Sequence, residues 1–207
     1  MWGLVQDNEI IKYITYPKSM VIGDVRYPAK IFQIWTAVEL EAIGIYEVVF
    51  NNSNKKDEKW YINTNQSYSF ADDVITASYG SATAKAHADT TWTQEDLDDL
   101  DEVGDLTAGD IKTTGLKTNL IKVIKQQAAG LLTPTDWYVI KANEIADYSV
   151  PSNITTFRAL VRSKSNTMET QITNASDTPA LETLYTYTTN LAGVTARPLA
   201  ELPTLEI

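Results

Sequence analysis

His87 is the only histidine in this 207-residue chain and cysteine is absent. Thiol nucleophiles, disulfides, thiolate zinc sites and multi-histidine metal centres are therefore excluded together. His87 stands in Ala84-Lys85-Ala86-His87-Ala88-Asp89. A general base needs a nucleophile and an orienting group, and nothing local nominates either, so His87 reads as a surface or linker residue. The acidic run from Glu95 to Asp110 invites comparison with a calcium loop. Counting from Asp99, Asp101 falls at position 3, Gly104 at position 6 and Asp110 at position 12. Position 5 is Val103, which offers no side-chain oxygen, and position 12 lacks the longer bidentate Glu; a solvated acidic stretch is the favoured reading. Glycine-rich phosphate loops and the G-x-S-x-G elbow are absent. Carboxylate pairs for glycoside chemistry are spatial, and among 27 acids some pair always looks available. No residue is nominated as catalytic, cofactor-binding or metal-binding, and the expectation is a protein that is not an enzyme.

Charge narrows the partners. With 27 acids against 17 bases the net charge is −10, so the chain repels the phosphates that a nucleic-acid-binding protein must neutralise. Apolar runs are only a few residues long, and the Met-Trp-Gly-Leu-Val-Gln-Asp start has neither the basic nor the apolar region of a signal peptide. Neither membrane insertion nor secretion is expected. The charge is unevenly spread: 95–110 carries 8 acids and no base, and 111–172 carries 8 bases against 4 acids. Two solvated faces that attract each other account for this; a basic partner for the acidic run is the alternative.

The patterning predicts an α+β fold. Runs at 2–5, 9–16, 45–50, 60–62, 68–70 and 74–76 are β-branched and aromatic, and the short turns Gln6-Asp7-Asn8 and Ala71-Asp72-Asp73 read as hairpins. Antiparallel pairing follows, since most of these connections are too short for crossovers. One helix interrupts them: Thr36 and Glu39 form a capping box, Trp35 and Leu40 a hydrophobic staple, and Gly44 stops the helix. Trp92-Thr93-Gln94-Glu95-Asp96-Leu97 repeats the device. From 112 the period becomes helical. Leu116, Leu120, Val123, Ile124, Gln127, Ala128 and Leu131 make one stripe; Ile154, Phe157, Leu160, Val161, Met168 and Ile172 make another. A short helix starts near Thr135, and Thr178-Pro179 reads as a cap followed by proline at the first helical position. The expected organisation is a small antiparallel β-rich domain at 1–90, an acidic connector at 91–110, a helical domain of three to four helices at 111–193 and an extended tail at 194–207. Trp2, Trp35, Trp60 and Trp137 sit within apolar patterns, which places them in the core.

The most distinctive segment is 126–162. It contains Gln-Gln-Ala-Ala-Gly-Leu-Leu-Thr-Pro-Thr-Asp136-Trp137-Tyr-Val, then Val150-Pro151, then Phe157-Arg158-Ala-Leu-Val-Arg162. This resembles the C-terminal pattern of bacteriophage tail assembly and tail-fibre assembly proteins, with a leucine pair before Asp-Trp and a following helix carrying aromatic-Arg-x-x-x-Arg. Tyr27-Pro28-Ala29 and Trp35-Thr36-x-x-Glu39-Leu40-x-x-Ile43-Gly44-Ile45 are similar, more loosely, to marine-phage tail proteins. The resemblance implies a non-enzymatic protein of the virion tail, or of the host cytoplasm during assembly. Its partners would be other tail or tail-fibre proteins, or further copies of itself. Asp136, Trp137, Arg158 and Arg162 are the candidate residues. Trp137 would anchor the helix junction by burying a large face, and Asp136 would cap a helix start. Arg158 and Arg162, four apart on one helix face, need an acid between them; an internal staple to Asp136 is favoured over direct partner contact. A host-receptor or glycan-binding module using exposed aromatics is the alternative.

Overall fold

Asp7 and Asn8 take positive φ (52° and 65°), and so do Asp72 and Asp73 (49° and 60°). That is the left-handed pair which two-residue hairpins of right-twisted strands require. The first turn joins β1 (Trp2–Gln6) to β2 (Glu9–Ile14). A ribbon of β3 (Met20–Ile22) and β4 (Val25–Tyr27) follows, then α1 (Ile31–Ile34), α2 (Ala37–Glu41), β5 (Ile45–Asn51) and β6 (Tyr61–Ile62). The second turn joins β7 (Gln66–Ala71) to β8 (Val74–Tyr79). The computed structural model describes residues 1–64, 66–102 and 104–205, and the chain divides into two units, Met1–Thr83 and Ala84–Ile207.

In the first unit five strands form one sheet in the order β2-β1-β5-β8-β7. Its pairs are antiparallel except β5 with β8, which run parallel with Val48 opposite Ile75 and Asn51 opposite Ser78. The expected antiparallel pairing fails there because the 52–73 connection is long enough to carry β6 and β7 and return the chain in the same direction. The sheet curls until its edge strands meet, with the rings of Tyr13 and Tyr68 4.6 Å apart. Alternation along the strands then feeds two cores. Leu4, Ile14 and Ile45 pack with Met20, Ile31 and Leu40 on one face; Val5, Val48, Ile75 and Ala77 pack on the other. α2 begins with the predicted capping box between Thr36 and Glu39. Trp35 packs with Leu40 in the same core, and Gly44 follows with φ 81°.

The second unit contains β10 (Thr90–Thr91), α3 (Gln94–Asp98), β11 (Ile111–Thr113), α4 (Leu116–Leu132), α5 (Asp136–Glu144), α6 (Ser152–Asn174) and α7 (Thr178–Tyr185). The two-residue strand β9 (Thr83–Ala84) lies at the boundary, and β12 (Thr188–Thr189) pairs with β13 (Thr195–Ala196). α4 and α6 run antiparallel: Lys117 Nζ donates to Thr173 O at one end, and Arg158 donates to Leu132 O at the other. Leu120, Ile124 and Ala128 face Ile154, Phe157, Val161, Met168 and Ile172, with Ser165 buried in the same stripe. Val123 and Leu160, expected in these stripes, are exposed. Each sits one residue, about 100° of turn, from a buried neighbour. Asp177 rather than Thr178 caps α7, accepting from Ala180 N at 2.8 Å. Thr178 is instead buried and donates its hydroxyl to Lys85 O. The C-terminal segment is extended but packed. Gln171 donates to Pro198 O and accepts from Ala200 N, Leu199 is buried, and Leu202 and Leu205 cover Ala128, Phe157 and Val161.

The start of α4 has no side-chain cap of its own, because its N-cap is Gly115. Asp89 supplies one from a distance, accepting from Gly115 N and Thr118 Oγ1, both at 2.7 Å. The carbonyls of Ala86 and His87 take the next two amides, those of Leu116 and Lys117. His87, expected at the surface or in a linker, is half-buried and contributes through its backbone. A Cβ on Gly115 would lie 2.3 Å from the backbone of Ala88. Gly115→Ala should therefore cost about 2 kcal/mol, the scale of an overpacked site that cannot give. Gly130→Ala, in the same helix with open space around it, should gain about 1 kcal/mol from helix propensity. Urea denaturation of the two variants checks this, and equal effects would contradict the fold at residues 86–89.

Candidate functional site

α4 passes through a 3-10 turn (Thr133–Thr135) directly into α5, with Pro134 in its first turn. Asp136 therefore opens α5, where a carboxylate meets the positive end of the helix. α6 starts after Pro151 and carries Arg158 in its second turn, on the side facing the α4–α5 junction. One guanidinium nitrogen of Arg158 lies 2.7 Å from Asp136 Oδ1, donates to Leu132 O at 3.0 Å and donates to Thr135 Oγ1. Thr135 is buried and donates its own hydroxyl to Leu132 O at 2.7 Å. Arg158 is only 9% exposed. A buried guanidinium is tolerated only when paired and hydrogen-bonded, and here it joins three elements: the end of α4, the turn and the start of α5.

Of the four candidate residues, the structure brings together Asp136 and Arg158. Arg162 sits one turn further along α6, exposed, and pairs with no carboxylate among the described residues. It lines a groove between α4 and α6 with Lys125, Ala129 and Leu132. Trp137 departs from the expectation of a buried anchor: it is 51% exposed, with its ring 3.8 Å from that of Tyr138. The reason is helical geometry. Asp136 faces the junction, so the next residue points about 100° away, and Leu132, Thr135 and Arg158 already occupy the interior. Trp2 and Trp35 are half-buried, and only Trp60 of the expected core tryptophans is fully buried. α5 as a whole has no buried residue. Trp137, Val139 and Ile140 are all exposed, as is Ile145 just beyond it. Sequence reasoning missed Thr135 and the Leu132 carbonyl; the first is an ordinary loop threonine by type, and the second has no side-chain signature.

The acidic stretch folds on itself and onto β11. Thr93 and Asp96 form the second predicted capping box at the start of α3. Asp96 also pairs with Lys112, whose ammonium lies 4.5 Å from the Trp92 ring. Lys112 and the Thr93 donors hold the Asp96 carboxyl down at about 2. Asp110 accepts from the Thr107 amide and hydroxyl, which lowers its pKa too. Val103, position 5 of the calcium template, lies outside the described residues. Among the described residues, no cluster of three or more His, Cys, Asp or Glu side chains could hold a metal ion, and no helix is long and apolar enough to cross a membrane. No protein-family model, curated protein or solved structure matches the chain.

Two outcomes follow from this geometry. Arg158→Ala should cost about 3 kcal/mol in urea denaturation, since it strands Thr135 and a carbonyl in the interior. Arg158→Lys should not recover the full loss, because an ammonium lacks the guanidinium fork. Asp136→Ala should cost about 1 kcal/mol, its carboxylate being half exposed to solvent. For Asp96 the folded-state pKa lies below its ordinary 3.8. Its stabilising contribution is thus complete above that value and is lost as pH falls from about 4 towards about 2. Asp96→Asn should flatten the acid limb of the stability curve in that window; an unchanged limb would contradict the pairing with Lys112.

Proposed function

We propose that the protein is a non-enzymatic component of a bacteriophage tail, or of its tail-fibre assembly, acting through protein–protein contacts. Two lines support the reading. The first is the resemblance of 126–162 to tail and tail-fibre assembly proteins. The second, and the observation that carries it, is that α5 is fixed by a buried arginine yet offers Trp137, Val139 and Ile140 to solvent. Apolar side chains held rigidly outward lose little conformational entropy when covered, as a docking element requires. Tryptophan and tyrosine are the residue types that dominate such contacts. The neighbouring groove adds Lys125 and Arg162 beside Ala129 and Leu132, a surface suited to an acidic amphipathic partner. The partner class is another tail or tail-fibre subunit, in the particle or in the host cytoplasm during assembly. The alternative, a virion-mounted glycan-binding module, draws on the same exposed ring of Trp137.

Mass analysis of purified particles of the encoding phage, together with co-purification from infected cells, tests the proposal. A fixed ratio in the particle makes the protein structural; absence from the particle with a fibre-subunit complex in the cell makes it an assembly factor. Trp137→Ala with Ile140→Ala should leave the melting temperature within a few degrees and weaken that association at least tenfold. Absence from both fractions would overturn the reading, and glycan binding lost on Trp137→Ala would favour the alternative.

A further inference from the structure

The alternation of β5 places Ile45, Glu47 and Val49 on one face of the sheet. Ile45 on that face is buried against Leu4, Ile31 and Leu40, yet two residues on the chain carries a carboxylate. Trp2 of β1 lies directly opposite Glu47, and side chains so paired across an antiparallel ladder have Cβ atoms about 5 Å apart. α1 and α2 complete the surround. Phe32 tilts against Trp2 with ring centres 4.8 Å apart, and Trp35 is braced edge-on by Tyr27 at 5.8 Å. The result is a cavity of about 170 Å³ walled by Trp2, Phe32 and Trp35, floored by Leu40 and Ile45, and rimmed by Glu41 and Glu47. The three rings are partly buried and both carboxylates are exposed. Among the described residues no lysine or arginine lines the cavity, and neither carboxylate forms an ion pair with a basic side chain.

We propose that this cavity binds an alkylammonium head group. The faces of aromatic rings attract cations, most strongly when the cation is weakly hydrated and the ring is tryptophan. Here two tryptophans and a phenylalanine line the cavity, and two carboxylates at its rim supply the countercharge. The volume lies below the roughly 300–1,000 Å³ of sites for drug-sized ligands, so it takes a single head group rather than an oligosaccharide. The apolar floor suits methyl or methylene groups and gives nothing to a bare metal ion, which keeps its water. The ammonium can come from a free choline-type compound, whose weakly hydrated quaternary nitrogen leans on the rings, or from a lysine side chain of a protein partner, whose strongly hydrated ammonium leans more on the carboxylates.

Titration of the full chain with choline and, separately, with N-acetyl-lysine-N-methylamide tests this by following the tryptophan indole N–H signals in NMR. Saturable shifts confined to Trp2 and Trp35, with Trp60, Trp92 and Trp137 unmoved, are expected for at least one of the two. The stronger of the two identifies the source. The neutral isostere 3,3-dimethylbutan-1-ol should bind at least tenfold more weakly than choline. Glu41→Gln with Glu47→Gln should weaken the cation about tenfold while leaving the Trp60 signal in place as proof of folding. Equal binding of the neutral isostere, saturation by a pyranose but by neither ammonium, or no saturable shift of Trp2 and Trp35 would each overturn the proposal.

Discussion

The guanidinium of Arg158 is the point at which the helical unit is decided. A planar cation cannot be left in an apolar interior without acceptors around it, so burying it obliges Leu132, Thr135 and Asp136 to arrive together. Those residues end α4, form the 3-10 turn and open α5, so meeting one ionic requirement fixes the path of the chain through two helix boundaries. Antiparallel packing of α4 on α6 follows from the same anchor, with the Lys117 to Thr173 contact closing the far end. The outward pose of Trp137 is the counterpart of the inward pose of Asp136. A burial requirement and an exposed apolar helix are thus two sides of one residue-to-residue rotation.

Much of this was legible residue by residue. The capping boxes at Thr36–Glu39 and Thr93–Asp96 are local hydrogen-bond patterns, and local patterns survive folding because their partners are three residues apart. The Asp7-Asn8 and Asp72-Asp73 turns were readable for the same reason. The failures are non-local. The parallel pairing of β5 with β8 depends on what a 22-residue connection does in space, which turn chemistry does not encode. The cap on α4 comes from Asp89, 26 residues upstream of Gly115, a separation that no local pattern bridges. Val123 and Leu160 belong to the apolar stripes yet stay exposed, because a stripe in sequence is wider than the strip of helix a single partner covers. In the candidate site, the resemblance nominates Asp136 with both Arg158 and Arg162, of which only Arg158 meets the carboxylate, and the Leu132 carbonyl has no letter to read.

The two units solve the burial of apolar surface differently. The sheet unit divides its core between the two faces of a curled sheet, and one face ends in the exposed Glu47 beside Trp2. The helical unit concentrates its core along one seam and covers the open flank with the C-terminal segment, where Gln171 engages both a carbonyl and an amide of 198–200. Near that segment, Arg197 lies 5.5 Å from the Tyr185 ring and 5.1 Å from the Tyr187 ring, and it pairs with Glu201 at 3.3 Å. Cation–π and ionic contacts there fasten an irregular segment that has little regular backbone pairing of its own.

The pairing of β10 with β11 also has an evolutionary consequence. Thr90 lies opposite Thr113, so the acidic stretch leaves and re-enters its unit at neighbouring points. Once the mouth of a loop is pinned, lengthening the loop costs only the slow logarithm of chain closure, about 0.6 kcal/mol for each doubling. Apart from Trp92, Thr93, Asp96, Leu97, Thr107 and Asp110, whose contacts hold the arm to its base, the residues between are free to drift in length and composition while Asp89, Gly115 and the helices behind them stay fixed. Variation between related chains should accumulate in that arm first, as an appendage that can be resized without rebuilding its support.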